Sequence, residues 1–339
     1  MSGLSPRRPL AVTMGDPAGV GPEVAAHAWA LRREHDLPPF VAIGDAAAIE
    51  SQWEGPVRRV SDMDGVAEIF HDALPVLHLE ESGPLTLGQP TPAGATCALH
   101  ALETGIGLTR TQATSALVTG PVSKHALHGI GYTHPGQTEF IAERCGVTAT
   151  NAVMMLAAPG LRVVPLTVHI PLAAVPEQLT AEIIVAKARI VARGLRRDFG
   201  IASPRLAIAG LNPHAGENGQ LGSEEAEIMA PAIAQIAAEG IIIDGPLAAD
   251  SLFAPDVRKH YDALLCGYHD QALAPFKALH FHDGVNLTLG LPIIRTSPDH
   301  GTAFNIAGSG RADPGPTIAA IQLAGKLATN REHSVAPAK

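Results

Sequence analysis

The sequence predicts an α/β fold in which helices cover a mixed, largely parallel sheet. Short apolar runs alternate with longer helical patterns along the chain, and this alternation is typical of repeated strand–helix units. Aromatic residues make up only 4% of the 339 residues. The core must therefore consist mainly of Ala, Val, Ile and Leu, which suit buried parallel strands. The chain length corresponds to one large domain or two medium domains.

Each short apolar run predicts a strand, and each longer stretch of helical periodicity predicts a helix. The predicted strands are residues 9–14, 40–44, 116–119, 151–156, 162–169, 205–209, 262–266 and 285–289. The predicted helices are residues 23–34, 93–112, 138–145, 180–199, 223–239 and 316–328. Pro231 should kink or split the helix at 223–239, because proline lacks the N–H that an internal helical position donates.

The chain contains no flexible linker that would separate two domains in sequence. We therefore expect the first domain to consist of residues 1–122 plus 290–339, so that both ends of the chain contribute to it. Residues 123–289 would form a second domain inserted between these two segments. This second domain would contain the three histidines described below.

Composition and charge exclude several classes of protein. The formal net charge is −9, from 24 Lys and Arg against 33 Asp and Glu, and no basic block provides the clustered charge that nucleic-acid binding requires. The N-terminus lacks the apolar run of a signal peptide, and no window approaches the roughly 18 apolar residues of a membrane span. Three cysteines far apart, Cys97, Cys145 and Cys266, suit a reducing compartment. We expect a cytoplasmic protein.

Three histidines occur at or just after the ends of predicted strands. His169 closes one strand, His214 lies five residues after a strand ending at Ala209, and His269 lies three residues after a strand ending at Cys266. If these strands run parallel, their carboxyl ends meet at one edge of the sheet, where open α/β sheets bind ligands. Three imidazoles there would form a catalytic metal site. Because the spacing matches no short metal-binding motif, ordinary hydrogen-bonding histidines are the alternative.

Two glycine-rich loops are candidates for ligand binding. Residues 15–23, GDPAGVGPE, lie between the first predicted strand and the first predicted helix, and the free amides at a helix start favour an anion. This loop fits neither the dinucleotide-binding motif nor the P-loop. Residues 299–314, DHGTAFNIAGSGRADP, open the last helical region and would be able to wrap an adenosine moiety. A tight strand-to-helix turn and a helix cap are the respective alternatives.

Three polar residues lie in segments that otherwise look constrained: Lys277, Asn286 and Arg295. A cation on a partly buried strand is costly unless it is paired or faces a ligand. A phosphorylated substrate would supply that partner. Exposed strand ends are the alternative explanation.

A set of motifs occurs in the order found in 4-hydroxythreonine-4-phosphate dehydrogenases, a family of vitamin B6 biosynthesis. The motifs MGDPAGVGPE, TGPVSK, HPGQTEF, LNPHAGENG, YHDQALAPFK and TSPDHGTAFNIAG begin at residues 14, 119, 134, 211, 268 and 296. The chain resembles this family over essentially its whole length. The resemblance implies that NAD or NADP oxidises 4-phosphooxy-threonine to a β-keto acid, which loses CO2 to give 3-amino-2-oxopropyl phosphate.

The resemblance also implies roles for individual residues. The family's metal ligands correspond to His169, His214 and His269, and its substrate-binding residues to Thr138, Lys277, Asn286 and Arg295. Zinc is the expected ion because the ligands are imidazoles, with magnesium, manganese or cobalt as possible replacements. We expect Asp270 to be the general base and Lys124 to protonate the enolate formed by decarboxylation.

Gln137 departs from the family pattern, because the best-known members have His immediately before the residue that corresponds to Thr138. Gln keeps a donor and an acceptor but has no titratable proton, so it suits substrate binding rather than acid–base chemistry. The departure leaves open a sister dehydrogenase that acts on a phosphorylated threonate or erythronate, or on a cis-dihydrodiol of an aromatic acid. A metal- or anion-binding α/β protein without enzymatic activity is a more distant alternative.

The chain is also distantly similar to isopropylmalate and isocitrate dehydrogenases, through residues 15–23 and 300–308. This similarity implies two α/β/α domains with the active site in the cleft between them. It further implies a homodimer in which the metal site is shared at the interface. NAD or NADP would be bound by two loops, through Gly15, Asp16, His300, Gly301 and Asn305.

Overall fold

The computed structural model describes residues 8–79 and 82–335. Its strands are β1 Leu10–Thr13, β2 Phe40–Gly44, β3 Val57–Val60, β4 Leu74–His78, β5 Leu117–Thr119, β6 Val153–Ala158, β7 Leu161–Pro165, β8 Arg205–Ala209, β9 Ile242–Leu247, β10 Ala263–Cys266, β11 Val285–Leu289 and β12 Arg295–Pro298. Its helices are α1 Gly21–Ala30, α2 Ala46–Glu50, α3 Val66–Asp72, α4 Pro92–Arg110, α5 Lys124–Gly129, α6 Gln137–Arg144, α7 Val175–Gln178, α8 Ala181–Arg197, α9 Ala230–Ala238, α10 Ala249–Leu252, α11 Pro255–Arg258, α12 His269–Leu279 and α13 Gly315–Val335.

The first compact unit consists of Met1–Ala149 and Leu291–Lys339. Its strands follow the order β3-β4-β2-β1-β5-β12, and the pairs within this order are parallel. The long helix α4 packs against β1 and β2, and α13 packs against β12 and β5. Thr91 caps α4 by accepting the N–H of Gly94, which satisfies one of the free amides at the helix start.

The second unit consists of Thr150–Gly290, and its strands follow the order β11-β6-β7-β10-β8-β9. The pairs β11–β6 and β6–β7 are antiparallel, whereas β7, β10, β8 and β9 are parallel to their neighbours. Helix α12 packs against β7 and β10, and α8 packs against β6 and β11. Both units therefore confirm the predicted fold class, a mixed and largely parallel α/β sheet covered by helices.

The first unit extends beyond the boundary predicted at residue 122. Residues 123–149, which contain α5 and α6, cluster with the first unit rather than with the second. The reason is local packing: α5 packs against α4, and the side chain of Gln137 at the start of α6 donates to the carbonyl of Gly120. The second boundary, predicted at residue 289, lies at Gly290.

Each predicted strand is present, with ends shifted by a few residues, and four strands were not predicted: β3, β4, β9 and β12. The sequence VRRV of β3 is partly exposed and charged, and RTSP of β12 is polar although it is buried. Strands β4 and β9 contain Pro75 and Pro246, and proline ordinarily argues against a strand. Local composition therefore concealed these four strands.

The helix predicted at 223–239 is interrupted, as the position of Pro231 indicated. A π-helical turn, Glu225–Met229, precedes α9, and Pro231 lies at the start of α9. Proline is tolerated in the first turn of a helix because its missing N–H has no partner there. The strand predicted at 162–169 ends at Pro165, so the segment that leads to His169 is irregular.

The described part of the chain has no helix that is long and apolar enough to cross a membrane. Its three cysteines are free, as expected. Cys266 is fully buried, and burial raises the pKa of its thiol to about 12. This residue belongs to the core.

Lys187 on α8 is a largely buried cation. Its Nζ donates to the carbonyl of Leu166 at 2.8 Å, just after the end of β7. Burial lowers the pKa of this ammonium from 10.5 to about 8. Between these two values the unfolded chain binds more protons than the folded chain at this residue, so its contribution makes stability increase as the pH rises through this window.

Lys187→Met should remove that contribution. We expect the free energy of unfolding of the variant to rise less between about pH 8 and 10.5 than that of the unsubstituted protein, because Met has no proton to release. Urea titrations at several pH values across this window would measure the difference. The exposed Lys326 on α13 provides the control, Lys326→Met. Identical pH profiles for the protein and for Lys187→Met would contradict a depressed pKa at this position.

Candidate active site

The three candidate metal ligands follow three parallel strands of the second unit. Strand β10 lies between β7 and β8 and is parallel to both, with Leu264 opposite Val163 and Ala263 opposite Leu206. The carboxyl ends of these strands therefore share one edge of the sheet. This confirms the strand direction on which the predicted gathering of His169, His214 and His269 depended.

His169 and His269 lie next to each other at this edge. Their ring centres are 5.8 Å apart and their planes are inclined by 44°. Two imidazoles bound to one ion at about 2.0–2.1 Å have ring centres roughly 5–6 Å apart, so the spacing fits a shared metal. Nδ1 of His269 lies 2.6 Å from Oδ1 of Asp270. With the proton on Nδ1, this contact orients the ring and leaves Nε2 available as a ligand.

His214 does not complete a set of three within one chain. Within residues 8–79 and 82–335, no three His, Cys, Asp or Glu side chains converge closely enough to hold a metal ion. His214 lies in a turn, Pro213–Gly219, whose residues from His214 to Asn218 have left-handed backbone angles, with φ between 44° and 81°. The backbone around the third candidate ligand is therefore unusual.

Glu225 anchors the start of that left-handed turn. Its Oε1 accepts the backbone N–H of Asn212 at 2.7 Å, and its Oε2 accepts the side-chain amide of Asn212 at 3.0 Å. Burial raises the pKa of the Glu225 carboxyl, but the hydrogen bonds from Asn212 outweigh burial and hold the pKa below its usual value. Left-handed non-glycine residues cost free energy, and the fixed Asn212 defines where the strained turn begins.

Gln271 joins the ends of the two strands that precede His269 and His214. Its Oε1 accepts the N–H of Gly267 at 2.7 Å, and its Nε2 donates to the carbonyl of Gly210 at 2.8 Å. Thr167 makes a similar link, since its hydroxyl donates to the carbonyl of Gly267 at 2.8 Å. The loops after β7, β10 and β8 are thus held in register beyond the sheet itself.

In the first unit, Arg295 and Gln137 meet at the carboxyl end of β5. Arg295 is 4% exposed, and its Nε and Nη2 donate to the hydroxyl of Thr119 at 3.2 and 2.8 Å. Oε1 of Gln137 lies 3.5 Å from Nη2 of Arg295, while Nε2 of Gln137 donates to the carbonyl of Gly120 at 3.1 Å. Arg295 is therefore a buried cation on a strand, as predicted. The alternative, an exposed residue at a strand end, does not apply to it.

Burial lowers the pKa of Arg295 to about 10, and the nearby Glu139 and Tyr132 partly oppose the shift. The guanidinium remains charged at neutral pH. Lys124 contributes a second cation close by, because a Cβ added to Gly136 would lie 3.8 Å from Nζ of Lys124 and 3.1 Å from Oε2 of Glu139. Two cations, Arg295 and Lys124, and one carboxylate, that of Glu139, therefore lie around Gly136 and Gln137. The two cations are the groups there that could stabilise an anionic part of a substrate.

Thr138, Lys277 and Asn286 occupy three different elements. Thr138 is half-buried in the first turn of α6, beside Gln137. Lys277 is half-buried on α12, a helix that was not predicted. Pro275 lies inside this helix, and an internal proline ordinarily argues against a helix. Asn286 lies on β11, opposite Leu156 in the antiparallel ladder with β6.

The turn at residues 15–23 packs against the loop after β5. The N–H of Asp16 donates to the carbonyl of Pro121 at 3.0 Å, and Gly15 has a φ of 72°. A Cβ on Gly15 would lie 2.0 Å from the oxygen of Pro121, so only glycine permits this approach. Burial raises the pKa of the Asp16 carboxyl, and the N–H of Ala18 partly offsets the shift.

The loop at residues 299–314 lies over this turn, since the N–H of Val20 donates to the carbonyl of Thr302 at 3.0 Å. In this loop, Nδ1 of His300 lies 3.0 Å from the carbonyl of Gly301. Nε2 of His300 is buried and has no hydrogen-bond partner among the residues that the structure includes. With the proton on Nδ1, Nε2 is an unused acceptor, which fits a ligand that donates an N–H or O–H. Asn305 is exposed on the same loop.

Thr119 and Glu23 were not predicted as site residues. Each is a polar residue at a strand end or a helix start beside glycine or proline, within motifs that were recognised as a whole. The sequence feature that could have pointed to Thr119 is its position at the end of an apolar strand, immediately before Gly120. Its partner Arg295 lies on a strand distant in sequence, so the contact was visible only in the structure.

Comparison with known proteins gives consistent results. A family profile described as pyridoxal phosphate biosynthetic protein PdxA matches residues 36–324. A 4-hydroxythreonine-4-phosphate dehydrogenase of Zymomonas mobilis subsp. mobilis is 54% identical over 325 residues, covering 96% of this chain and 97% of the relative. The crystal structure of a 4-hydroxythreonine-4-phosphate dehydrogenase from Klebsiella pneumoniae has a TM-score of 0.84 and 34% identity, with 96% of this chain and 98% of that chain covered. A terephthalate 1,2-cis-dihydrodiol dehydrogenase from Burkholderia xenovorans LB400 has a TM-score of 0.66 and 29% identity, with 94% and 98% covered.

Thr119→Val should destabilise the protein more than an ordinary loss of a buried hydroxyl, because the hydroxyl accepts two bonds from a buried guanidinium. We expect a loss of about 1–3 kcal/mol in the free energy of unfolding. Chemical denaturation would measure it. Thr114→Val is the matched control, since Thr114 is 2% exposed and its hydroxyl bonds only to the neutral hydroxyl of Thr109 in the contacts seen here. Equal losses in both variants would contradict a special role of Thr119.

Proposed function

We propose the function of this chain from one premise: it belongs to the PdxA family of pyridoxal phosphate biosynthetic proteins. The family resemblance predicted from the motifs is thereby confirmed. The chain is an oxidoreductase, a 4-hydroxythreonine-4-phosphate dehydrogenase of vitamin B6 biosynthesis. The observation that carries this conclusion is the 54% identity to such an enzyme over 96% of the chain.

The reaction removes a hydride from the carbinol carbon of 4-phosphooxy-threonine and a proton from its hydroxyl, and the resulting β-keto acid loses CO2. When bound, NAD or NADP would supply the hydride acceptor, and a divalent cation, expected to be zinc, would supply Lewis-acid chemistry. The chain itself must bind the phosphate and carboxylate, accept the hydroxyl proton and protonate the enolate left by decarboxylation.

Arg295 and Lys277 are assigned to the anionic groups of the substrate. Arg295 is already fixed by Thr119 and Gln137, so little side-chain entropy is lost when it binds an anion. Asn286 is also assigned to substrate binding. Gln137 and Thr138 at the start of α6 add neutral hydrogen-bonding groups.

The proton transfers are assigned to Asp270 and Lys124. Asp270 is the proposed general base, and its contact with His269 gives it a second task, that of orienting this imidazole. Its side chain is 80% exposed, so it is open to a substrate hydroxyl. Lys124 begins α5 and is exposed, and it is the proposed proton donor to the enolate.

His169, His214 and His269 would hold the metal, and Gly15, Asp16, His300, Gly301 and Asn305 would hold the cofactor. Since His214 does not join the other two imidazoles within one chain, we propose a homodimer in which a second copy supplies the third imidazole. The exposed large hydrophobic residues among those described lie in the second unit: Leu172, Leu221, Ile242, Leu279 and Phe281. Such residues suit burial against another subunit. We also propose that the enzyme is cytoplasmic.

His169→Ala and His214→Ala should each lose most of the bound zinc, because two ligands do not retain what three retain. Metal analysis after zinc loading and gel filtration would measure the content, with one ion per subunit expected in the unsubstituted protein. His260→Ala, an exposed histidine of the same unit, is the control and should retain its zinc. A full complement of zinc in either variant would contradict the assignment of the substituted residue as a metal ligand.

A mixture of the two variants tests whether the site is shared. If His169 and His269 act with His214 of the other copy, a mixed dimer contains one intact site and one doubly damaged site. Random pairing of equal amounts then restores about a quarter of the sites, because about half of the dimers are mixed. Refolding the two inactive variants together should restore zinc and activity to that level. No restoration in verified mixed dimers would contradict the shared site.

Gln137→His tests the alternative substrates. If Gln137 only hydrogen-bonds the substrate and Arg295, imidazole should replace it with a small change in kcat/KM, because it offers a donor or an acceptor at similar reach. If Gln137 instead marks a sister enzyme, His should raise activity on 4-phosphooxy-threonine and lower it on the true substrate. NAD(P)H formation with 4-phosphooxy-threonine, a phosphorylated threonate and an aromatic cis-dihydrodiol acid would compare them. A change of preference beyond about tenfold, or 1.4 kcal/mol, would favour the sister enzyme.

A further inference from the structure

Glu23 links the first helix of the chain to its last long loop. It is the third residue of α1 and is 1% exposed. Its Oε2 accepts the backbone N–H of Gly308 at 3.0 Å, and its Oε1 accepts the backbone N–H of Ala312 at 3.2 Å. A single carboxylate thus holds two points of the loop at residues 299–314, almost the full length of the chain away in sequence.

Apolar packing surrounds this contact. Val20, Val24 and Ala312 are buried together, and the partly buried Ala303, Ile306 and Ala307 pack against them. The carboxylate therefore lies in a region with little water. A charged group there is tolerated only when it is hydrogen-bonded, and the two loop amides provide such bonds.

The backbone conformation of this loop is not one that its own residues favour. Ala303 has a φ of 43°, and Gly308 and Gly310 have φ values of 70° and 68°. A non-glycine residue with a positive φ is disfavoured unless its surroundings impose it. The loop also approaches another segment closely, because a Cβ on Gly88 would lie 2.7 Å from the carbonyl oxygen of Phe304. External contacts such as those from Glu23 are what fix this conformation.

We propose that Glu23 is a positioning residue for the nicotinamide cofactor, holding residues 302–312 in the conformation that receives its adenosine half. This inference rests on the proposed function, which assigns His300, Gly301 and Asn305 to the cofactor. Glu23 is buried behind the loop and does not contact the cofactor itself. Its contribution is to remove, in advance, the conformational freedom that binding would otherwise have to remove.

Glu23→Gln is the sharpest variant, because it keeps the size of the side chain and one acceptor. Its amide N–H then faces a backbone N–H, so one of the two contacts is lost. We expect the KM for NAD(P) and the Kd for NAD(P)H, measured by fluorescence, to rise about tenfold or more. The kcat at saturating cofactor and the KM for the phosphorylated substrate should change by less than about twofold.

Asp45→Asn is the matched control. Asp45 is a buried carboxylate of the same unit, 3% exposed, which accepts the N–H of Ala47 and both the N–H and the hydroxyl of Ser82. It caps α2 and contacts no residue of the cofactor loop in these bonds. This variant should lower the thermal stability as Glu23→Gln does, but leave the Kd for NAD(P)H unchanged.

Hydrogen exchange provides a readout that needs neither cofactor nor activity. In Glu23→Gln, peptides covering residues 302–312 should exchange faster than in the unsubstituted protein, whereas in Asp45→Asn they should not. If Glu23→Gln folds poorly, Glu23→Asp tests the same contact, because it keeps the charge on a side chain one methylene shorter. That variant should raise the Kd for NAD(P)H and accelerate exchange in the same peptides.

The outcomes distinguish a failure of the proposed function from a failure of the role of Glu23. An unsubstituted protein that binds no NAD(P)H would overturn the proposed function and this inference with it. An unsubstituted protein that binds NAD(P)H, together with a folded Glu23→Gln or Glu23→Asp variant of equal affinity and equal exchange, would overturn the role of Glu23 alone. Raised Kd with normal kcat, confined to the Glu23 variants, would support it.

Discussion

In each unit, parallel strands end at a common edge of that unit's sheet, and several candidate site residues lie at or just beyond these strand ends. Strands β1, β5 and β12 are adjacent and parallel in the first unit, as are β7, β10 and β8 in the second. This geometry brings Arg295 to Thr119 and His169 to His269, although the partners are far apart in sequence. Parallel pairing is therefore the constraint on which the remaining arrangement depends.

Buried charge is concentrated around these edges, and each described case has a specific partner. Arg295 donates to Thr119, Glu23 accepts amides of the last loop, and Glu225 accepts both amides of Asn212. Burying a charge is unfavourable unless hydrogen bonds replace its hydration. The hydrogen bonds that stabilise these buried charges also hold the neighbouring loops in place. Loss of such a bond should therefore both destabilise the protein and disturb the site.

Unusual backbone conformations accompany the buried charges. The left-handed turn that contains His214 starts at the residue held by Glu225, and Ala303 with its positive φ lies in the loop held by Glu23. Gly15 permits a contact with Pro121 that a Cβ would prevent. Strained or crowded backbone persists only where surrounding contacts impose it, and here those contacts involve the carboxylates of Glu225 and Glu23 and the glycine at residue 15.

Sequence by itself determined the fold class, most strands and helices, the family and the candidate residues, because hydrophobic periodicity and motif spacing are local properties. It did not reveal β12, whose sequence RTSP is polar although it is buried beside β5. Nor did it reveal the helical position of Lys277, since Pro275 interrupts the local pattern. Only the tertiary structure decided that Arg295 meets Thr119, that Glu23 holds Gly308 and that His214 stays apart from the other two imidazoles. Each of these facts concerns residues that are distant in sequence, so the residues near any one of these positions do not determine it.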